Sequence, residues 1–291
     1  MPSRTAFLFP GQGRVLNTLP SNIDQFDPLL ELAQNAELHL REWVAEGQVD
    51  RLASTDAAQP LMLLDSLCRE KLLSSAGWHA ECVAGHSLGE YAALVASGVL
   101  QARDAMHAVI ERGRLMNSVQ GTMAAILKLD LDTIRGLCAG TAAVVANHNA
   151  PGQVVVSGPE ADVQAVVAQA ESHGGRGIPL KVSGPFHSPL MQPAQDTLAI
   201  LLCTLSFSSP HTPIISSVSG RVEHETEILR ALLTRQMTAM VRWVDVSDTL
   251  AHLKIDTAIE VGAGDVLTRL GRRSGSSIRY LTFEEAMRER L

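Results

Sequence analysis

The chain has 291 residues, 46% of them hydrophobic and 19% charged, with a formal net charge of -7. That length can bury one large core, or one large and one small. Acidic and basic residues are mixed along the chain, which excludes a basic nucleic-acid surface as its main feature. No stretch approaches the ~20 apolar residues of a membrane span, and Met1 to Pro10 does not read as a signal peptide.

Thr5-Ala6-Phe7-Leu8-Phe9 is a short apolar run ended by Pro10-Gly11-Gln12-Gly13, the pattern of a buried strand entering a tight loop. Residues 57–76 carry apolar side chains at helical spacing and stop at Gly77. Cys82-Val83-Ala84-Gly85 is a second brief apolar run, followed at once by a helical pattern over 88–97 and another over 102–119. Strands and helices alternating through short connections predict an α/β fold around a parallel sheet.

The middle of the chain has a different order. A strand is expected at 123–129, a helix at 131–139, and strands at 143–146 and 154–157 joined through Asn147-His148-Asn149-Ala150-Pro151-Gly152. A helix at 161–173 and a strand at 177–182 follow. Strand-helix-strand-strand-helix-strand is the order of a ferredoxin-like unit. The expectation is therefore a parallel-sheet, α/β-hydrolase-like large domain, 1–120 with 185–291, carrying an inserted ferredoxin-like domain over 121–184. The large domain resumes with a helix near 189–204, a strand at Ile214-Ile215, helices near 226–237 and 244–253, and a strand at 258–261 leading into Gly262-Ala263-Gly264. Cys68, Cys82, Cys138 and Cys203 have no CxxC and no zinc-type spacing, so buried reduced thiols and a cytoplasmic location are expected.

Gly85-His86-Ser87-Leu88-Gly89 fits G-x-S-x-G between a strand and a helix. A sharp turn there needs small residues on both sides, so that the serine hydroxyl projects at a helix N-terminus where N–H groups can stabilise an oxyanion. Alone, the pentapeptide also fits an ordinary glycine-flanked turn; the flanking strand and helix favour a nucleophile. Its base must come from ten histidines. His187, in Ser183-Gly184-Pro185-Phe186-His187-Ser188-Pro189, leaves a strand on a loop that can reach a cleft, though a loop histidine bonded to backbone has the same appearance. His86 is next to the serine but points away from it, and His252 lies in a helical stretch that fits a core or surface role.

Several further motifs stand in order along the chain. They are Phe9-Pro10-Gly11-Gln12-Gly13, Gly85 to Glu90, Arg112-Gly113 with Met116, and Asn149-Ala150-Pro151-Gly152-Gln153-Val154. Gly184-Pro185-Phe186-His187 with Leu190-Met191 and Glu260-Val261-Gly262-Ala263-Gly264 complete the set. Together they resemble the malonyl-CoA:acyl carrier protein transacylase family, over almost the whole chain. The resemblance implies a Ser–His dyad at Ser87 and His187, and an oxyanion hole from the backbone N–H groups of Gln12 and Leu88. It implies that a backbone carbonyl at Gln236, in Arg235-Gln236 before Trp243, orients the histidine. It places the malonyl carboxylate on Arg112, further substrate contacts at Gln59 and Asn149, and a pocket narrowed by Phe186. An arginine suits that carboxylate because a guanidinium grips it through two parallel bonds; periodicity alone leaves Arg114 as an alternative, and a solvated helix charge as another. The resemblance also implies malonyl-CoA and a carrier protein with a phosphopantetheine-type arm as partners, and no metal or bound cofactor.

Two departures are visible. The first motif is followed by Arg14-Val15-Leu16-Asn17 in a shortened segment, and the stretch after Gly271 is brief. Leu16-Asn17-Thr18-Leu19-Pro20 resembles the malonyl-transfer (epsilon) subunit of bacterial malonate decarboxylase, which implies the other subunits of that enzyme as partners. Two rival functions share features with this sequence. An α/β-hydrolase esterase or thioesterase shares G-x-S-x-G, but its triad ends in a C-terminal histidine, and no histidine here follows Glu260. Its HGG-type oxyanion motif precedes the serine, whereas His173-Gly174-Gly175 follows it. A non-catalytic subunit of a larger assembly is the second rival, opposed by the complete dyad and Arg112.

Overall fold

The computed structural model describes residues 4–13, 15–182 and 184–290; Arg14 and Ser183 of the motifs above lie outside them. The elements in chain order are β1 (Thr5–Phe9), α1 (Asp27–Asn35), α2 (Leu40–Ala45), α3 (Val49–Ala53), α4 (Thr55–Ser75), β2 (Cys82–Gly85), α5 (Gly89–Ala96) and α6 (Ala102–Asn117). Then come β3 (Thr122–Leu127), α7 (Leu131–Cys138), β4 (Val144–Ala150), β5 (Gln153–Gly158), α8 (Glu160–Ser172) and β6 (Arg176–Pro179). The remainder is α9 (Gln192–Thr204), β7 (Ile214–Ile215), β8 (Val222–Glu223), α10 (Thr226–Arg235), α11 (Trp243–His252), β9 (Thr257–Glu260), α12 (Val266–Arg273), β10 (Arg279–Thr282) and α13 (Phe283–Arg288).

Six strands form one sheet in the order β10-β9-β1-β2-β7-β8, parallel except at the β7–β8 edge. β1 lies near its centre, and all five of its residues are buried. Side chains alternate across a strand, so Phe7 and Phe9 enter the large core with α4, α5 and α6, while Ala6 and Leu8 face Trp243, Val246 and Leu267 from α11 and α12. That two-sided burial is why the strand reads as an unbroken apolar run.

The second sheet has the order β4-β5-β3-β6 and is antiparallel throughout. Its own core joins Ile126, Val154 and Val156 to Ile134 of α7 and Val163 and Val166 of α8. It is tied by backbone bonds to the segment that enters α11, a helix packed on the larger sheet: His148 N donates to Val241 O at 2.9 Å, and Val241 N to Ala146 O at 2.9 Å.

Three expectations need correction. The segment 147–150, read as a loop, belongs to β4, leaving only Pro151-Gly152 as the connection; register shifts at Val145/Asn147 and His148/Ala150 accommodate the polar residues there. The strand expected to reach 182 ends at Pro179. All four cysteines are unpaired, but only Cys68 and Cys82 are buried, and burial pushes both thiols up to about 12. Cys203 is exposed, because α9 buries Ala194, Leu198 and Leu202 and the next residue turns outward. The helices α1 to α3 and the C-terminal α12, β10 and α13 had no sequence reading. Among the described residues no helix is long and apolar enough to cross a membrane.

Candidate active site

Ser87 stands between β2 and α5 with φ of 51°, a left-handed conformation that a non-glycine residue holds only under constraint. Both flanking glycines are required by contact. A Cβ on Gly89 would lie 2.0 Å from Phe9 O, and one on Gly85 would lie 2.1 Å from Glu90 N. The Pro10–Gly13 loop also passes close, since a Cβ on Gly11 would meet His86 O at 2.6 Å. Gln12 and Leu88 therefore line the same cavity as Ser87.

Ser87 Oγ lies 2.8 Å from His187 Nε2. His187 Nδ1 faces two carbonyls, Gln236 O at 2.9 Å and Ala239 O at 3.0 Å. Carbonyls only accept, so Nδ1 carries the proton and Nε2 presents its lone pair to the serine hydroxyl. Burial, and then the Arg112 charge, push the imidazole down to about 3, which keeps it neutral near pH 7. His187 also has positive φ, 58°. The Gln236 carbonyl was expected from the motif; that of Ala239 has no sequence signal, because any residue supplies a carbonyl.

Arg112 is 1% exposed, which removes the solvated-helix alternative. Its Nη1 donates to Gln59 Oε1 at 2.8 Å, and its Nη2 to Ser87 Oγ at 3.1 Å and Gln236 Oε1 at 3.2 Å. Nε is buried without a partner. Among the described residues no carboxylate lies within ion-pair distance of it, although the Glu90 charge acts on it from further off, and Tyr91 lies beneath it, 5.8 Å from ring centroid to guanidinium. A desolvated cation with an open donor, beside a serine hydroxyl that a histidine also holds, can accept a carboxylate as a charge partner. Arg114 is exposed and lines a different cavity.

The cavity of about 150 Å³ is also lined by Gln59, Asn149, Phe186 and Met123. That is the share of about five liquid waters, enough for a short acyl group. Asn149 Oδ1 lies 2.9 Å from His86 Nε2, whose ring rests on Trp243 at 5.2 Å, so His86 faces the small sheet and not Ser87 Oγ. His252 is exposed on α11 and bonds Asp248 O, and His173 of the HGG triplet is exposed at the end of α8. Neither joins the site. A larger groove of about 670 Å³ between α1, α6 and α9 shares no residue with it and contains neither serine nor cysteine.

The family model described as "Acyl transferase domain" matches residues 20–288. The chain belongs to the acyl transferase domain family. This acyl transferase chain is 34% identical to the malonyl CoA-acyl carrier protein transacylase of Bacillus subtilis, over 97% of this chain and 94% of that protein. It is 35% identical to that of Escherichia coli K12, over 92% of each. Among solved structures, the malonyl CoA-acyl carrier protein transacylase of Coxiella burnetii superposes with a TM-score of 0.91 at 31% identity, covering 99% of this chain and 97% of that one. A malonyl-transacylase in complex with its type II PKS acyl-carrier protein gives 0.90 at 30% identity, covering 99% of this chain and 100% of that one.

Proposed function

We propose that this acyl transferase moves a malonyl group from malonyl-CoA to the phosphopantetheine-type thiol of an acyl carrier protein, through an ester on Ser87. The observation that carries the reading is a single oxygen: Ser87 Oγ lies 2.8 Å from a neutral His187 Nε2 and 3.1 Å from the buried Arg112 guanidinium. Base and carboxylate partner thus converge on one hydroxyl. The names of the relatives supply the substrates.

The cycle is ping-pong. His187 Nε2 takes the proton of Ser87 Oγ as the oxygen attacks the thioester carbonyl. The N–H groups of Gln12 and Leu88 hold the tetrahedral oxyanion. The carbon–sulfur bond breaks, and the departing coenzyme A sulfur takes the proton back from His187. The carrier thiol then attacks the malonyl ester by the reverse steps. Arg112 holds the malonyl carboxylate, with Gln59 fixing the guanidinium, Asn149 contacting substrate and Phe186 limiting acyl width. The cycle draws on no metal or bound redox cofactor; coenzyme A takes part as substrate.

The proposal includes an organisation into 1–120 with 185–291 as an α/β-hydrolase-like domain and 121–184 as a ferredoxin-like insertion. Its support is the strand order β4-β5-β3-β6 and the separate core beneath it. A cytoplasmic location is part of it too, supported by four unpaired cysteines. The test is direct. Mixing the protein with malonyl-CoA should add one malonyl mass to the peptide holding Ser87, and Ser87→Ala should abolish adduct and turnover. An adduct that survives the substitution would refute the assignment.

A further inference from the structure

Glu90 is 2% exposed, in the first turn of α5, and belongs to none of the steps above. Its Oε2 accepts from Ser217 Oγ at 2.6 Å and from Gln236 Nε2 at 2.8 Å. Gln236 Nε2 also donates to Ser87 O at 3.0 Å, while Gln236 Oε1 accepts from Arg112 at 3.2 Å. The backbone carbonyl of the same glutamine accepts from His187 Nδ1 at 2.9 Å. Gln236 therefore touches the nucleophile's backbone, the base and the guanidinium at once.

An amide has one donor end and one acceptor end. At Gln236 the donor end meets a carboxylate and a carbonyl, which only accept, and the acceptor end meets a guanidinium, which only donates. Two of these bonds are charge-assisted, and the one to Glu90 is the shorter, 2.8 Å against 3.2 Å from Arg112, so Glu90 is the strongest constraint on which way the amide faces. Burial raises the Glu90 pKa, and the hydrogen bonds from Ser217, Ser216 and Gln236 oppose that rise. A glutamine at position 90 would offer both donor and acceptor, leaving only the weaker constraints from Ser87 O and Arg112. The plane of the Arg112 guanidinium, which a bidentate carboxylate must match, depends on that amide.

We infer that Glu90 is a positioning residue for specificity: by locking the Gln236 side chain it holds Arg112 in the orientation that selects a carboxylate-bearing acyl group. The inference rests on the acyl-transfer reading above. A residue that merely supported the fold would, when changed, reduce the active fraction and lower rates for all substrates alike. A residue that orients Arg112 changes the ratio of kcat/KM for malonyl-CoA to that for acetyl-CoA.

The experiment measures that ratio in the full chain for wild type, Glu90→Gln, Gln236→Leu and the double variant. Glu90→Gln should lower the ratio about ten- to a hundredfold, the factor corresponding to one charge-assisted hydrogen bond, with a higher KM for malonyl-CoA. Because Gln236→Leu removes the amide and keeps the backbone carbonyl, adding Glu90→Gln to it should change the ratio little further. An unchanged or raised ratio in Glu90→Gln, or two effects that simply add, overturns the inference. If Glu90→Gln does not fold, Ser217→Ala decides, since it loosens the carboxylate without removing it; a lowered ratio supports the inference and an unchanged one overturns it. Wild type that transfers no malonyl group sinks the acyl-transfer reading instead, so the two failures are distinct.

Discussion

Arg112 and His187 share one small space, and each sets the other's behaviour. The guanidinium charge is the second cause, after burial, of the imidazole's low pKa. The unfolded chain binds a proton on this histidine near pH 6.5 and the folded chain does not. Stability from this group is thus full above about 6.5 and is lost as pH falls from there toward 3. The activity of the free enzyme should follow the folded value, with kcat/KM for malonyl-CoA flat through pH 6.5 and its acid limb well below. Arg112→Ala should do two things in one pH series. It should lower kcat/KM for malonyl-CoA by roughly ten- to several-hundredfold, while acetyl-CoA is little affected, because only malonyl-CoA has a carboxylate to leave unpaired. It should also move the acid limb up toward the ordinary histidine range, because the repelling charge has gone. Equal losses for the two substrates with an unmoved limb would show that Arg112 neither binds the carboxylate nor acts on the base.

At the scale of elements, the elbow depends on how closely α5 approaches β1. Phe9 O would lie 2.0 Å from a Cβ at Gly89, and backbone on both sides cannot yield as a flexible side chain does. Gly89→Ala should therefore destabilise by about 1–3 kcal/mol or more and depress turnover, since any relief moves Ser87. Gly136, inside α7, is the contrasting case. Nothing lies within 4 Å of its Cβ position, so Gly136→Ala should stabilise by roughly 0.5–1 kcal/mol through helix propensity alone. Thermal melts of the two variants check the opposed signs. A Gly89→Ala protein as stable and active as wild type would mean that the close approach is not needed.

At the scale of the molecule, the site exists because two sheets meet. Ser87 and His187 hang from the large sheet and its connections, while Met123, Asn147, Asn149 and Val155 of the small one close the cavity over them. The His86–Asn149 bond, and the pairing of β4 with Val241 just before α11, hold the small sheet against the large-sheet side of the molecule. The carrier's arm must enter that closed space, so carrier choice is a property of the whole surface and not of the dyad. The transacylase relatives match over 92–97% of this chain, and a phosphopantetheine-bearing acyl carrier protein is the expected acceptor. Comparing kcat/KM for purified carriers checks this. Faster loading of the dedicated malonate decarboxylase carrier would favour the narrower placement read from Leu16 to Pro20.

Ser87, the strand before it and the helix after it could be read from residue order alone, because a nucleophile elbow is a local structure whose glycines and apolar runs lie within ten residues. The alternation of strands and helices, and the strand-helix-strand-strand-helix-strand run in the middle, followed in the same way from short connections and periodicity, whereas the order of strands within the large sheet did not. What sequence left open is everything set by long-range approach. Ten histidines were available, and only the packing of the 184–189 loop against the residues after α10 places His187, 100 positions from Ser87, within 2.8 Å of it. Periodicity could not separate Arg112 from Arg114; folding does, by burying one with Gln59 and Gln236 and leaving the other in solvent. The polar strand residues 147–149 read as a loop because bulges break the alternation that marks a strand. The linkage of Glu90 to Gln236 across 146 positions has no local signal at all, since a hydrogen bond between distant side chains is created by the tertiary fold and by nothing in the residues that flank them.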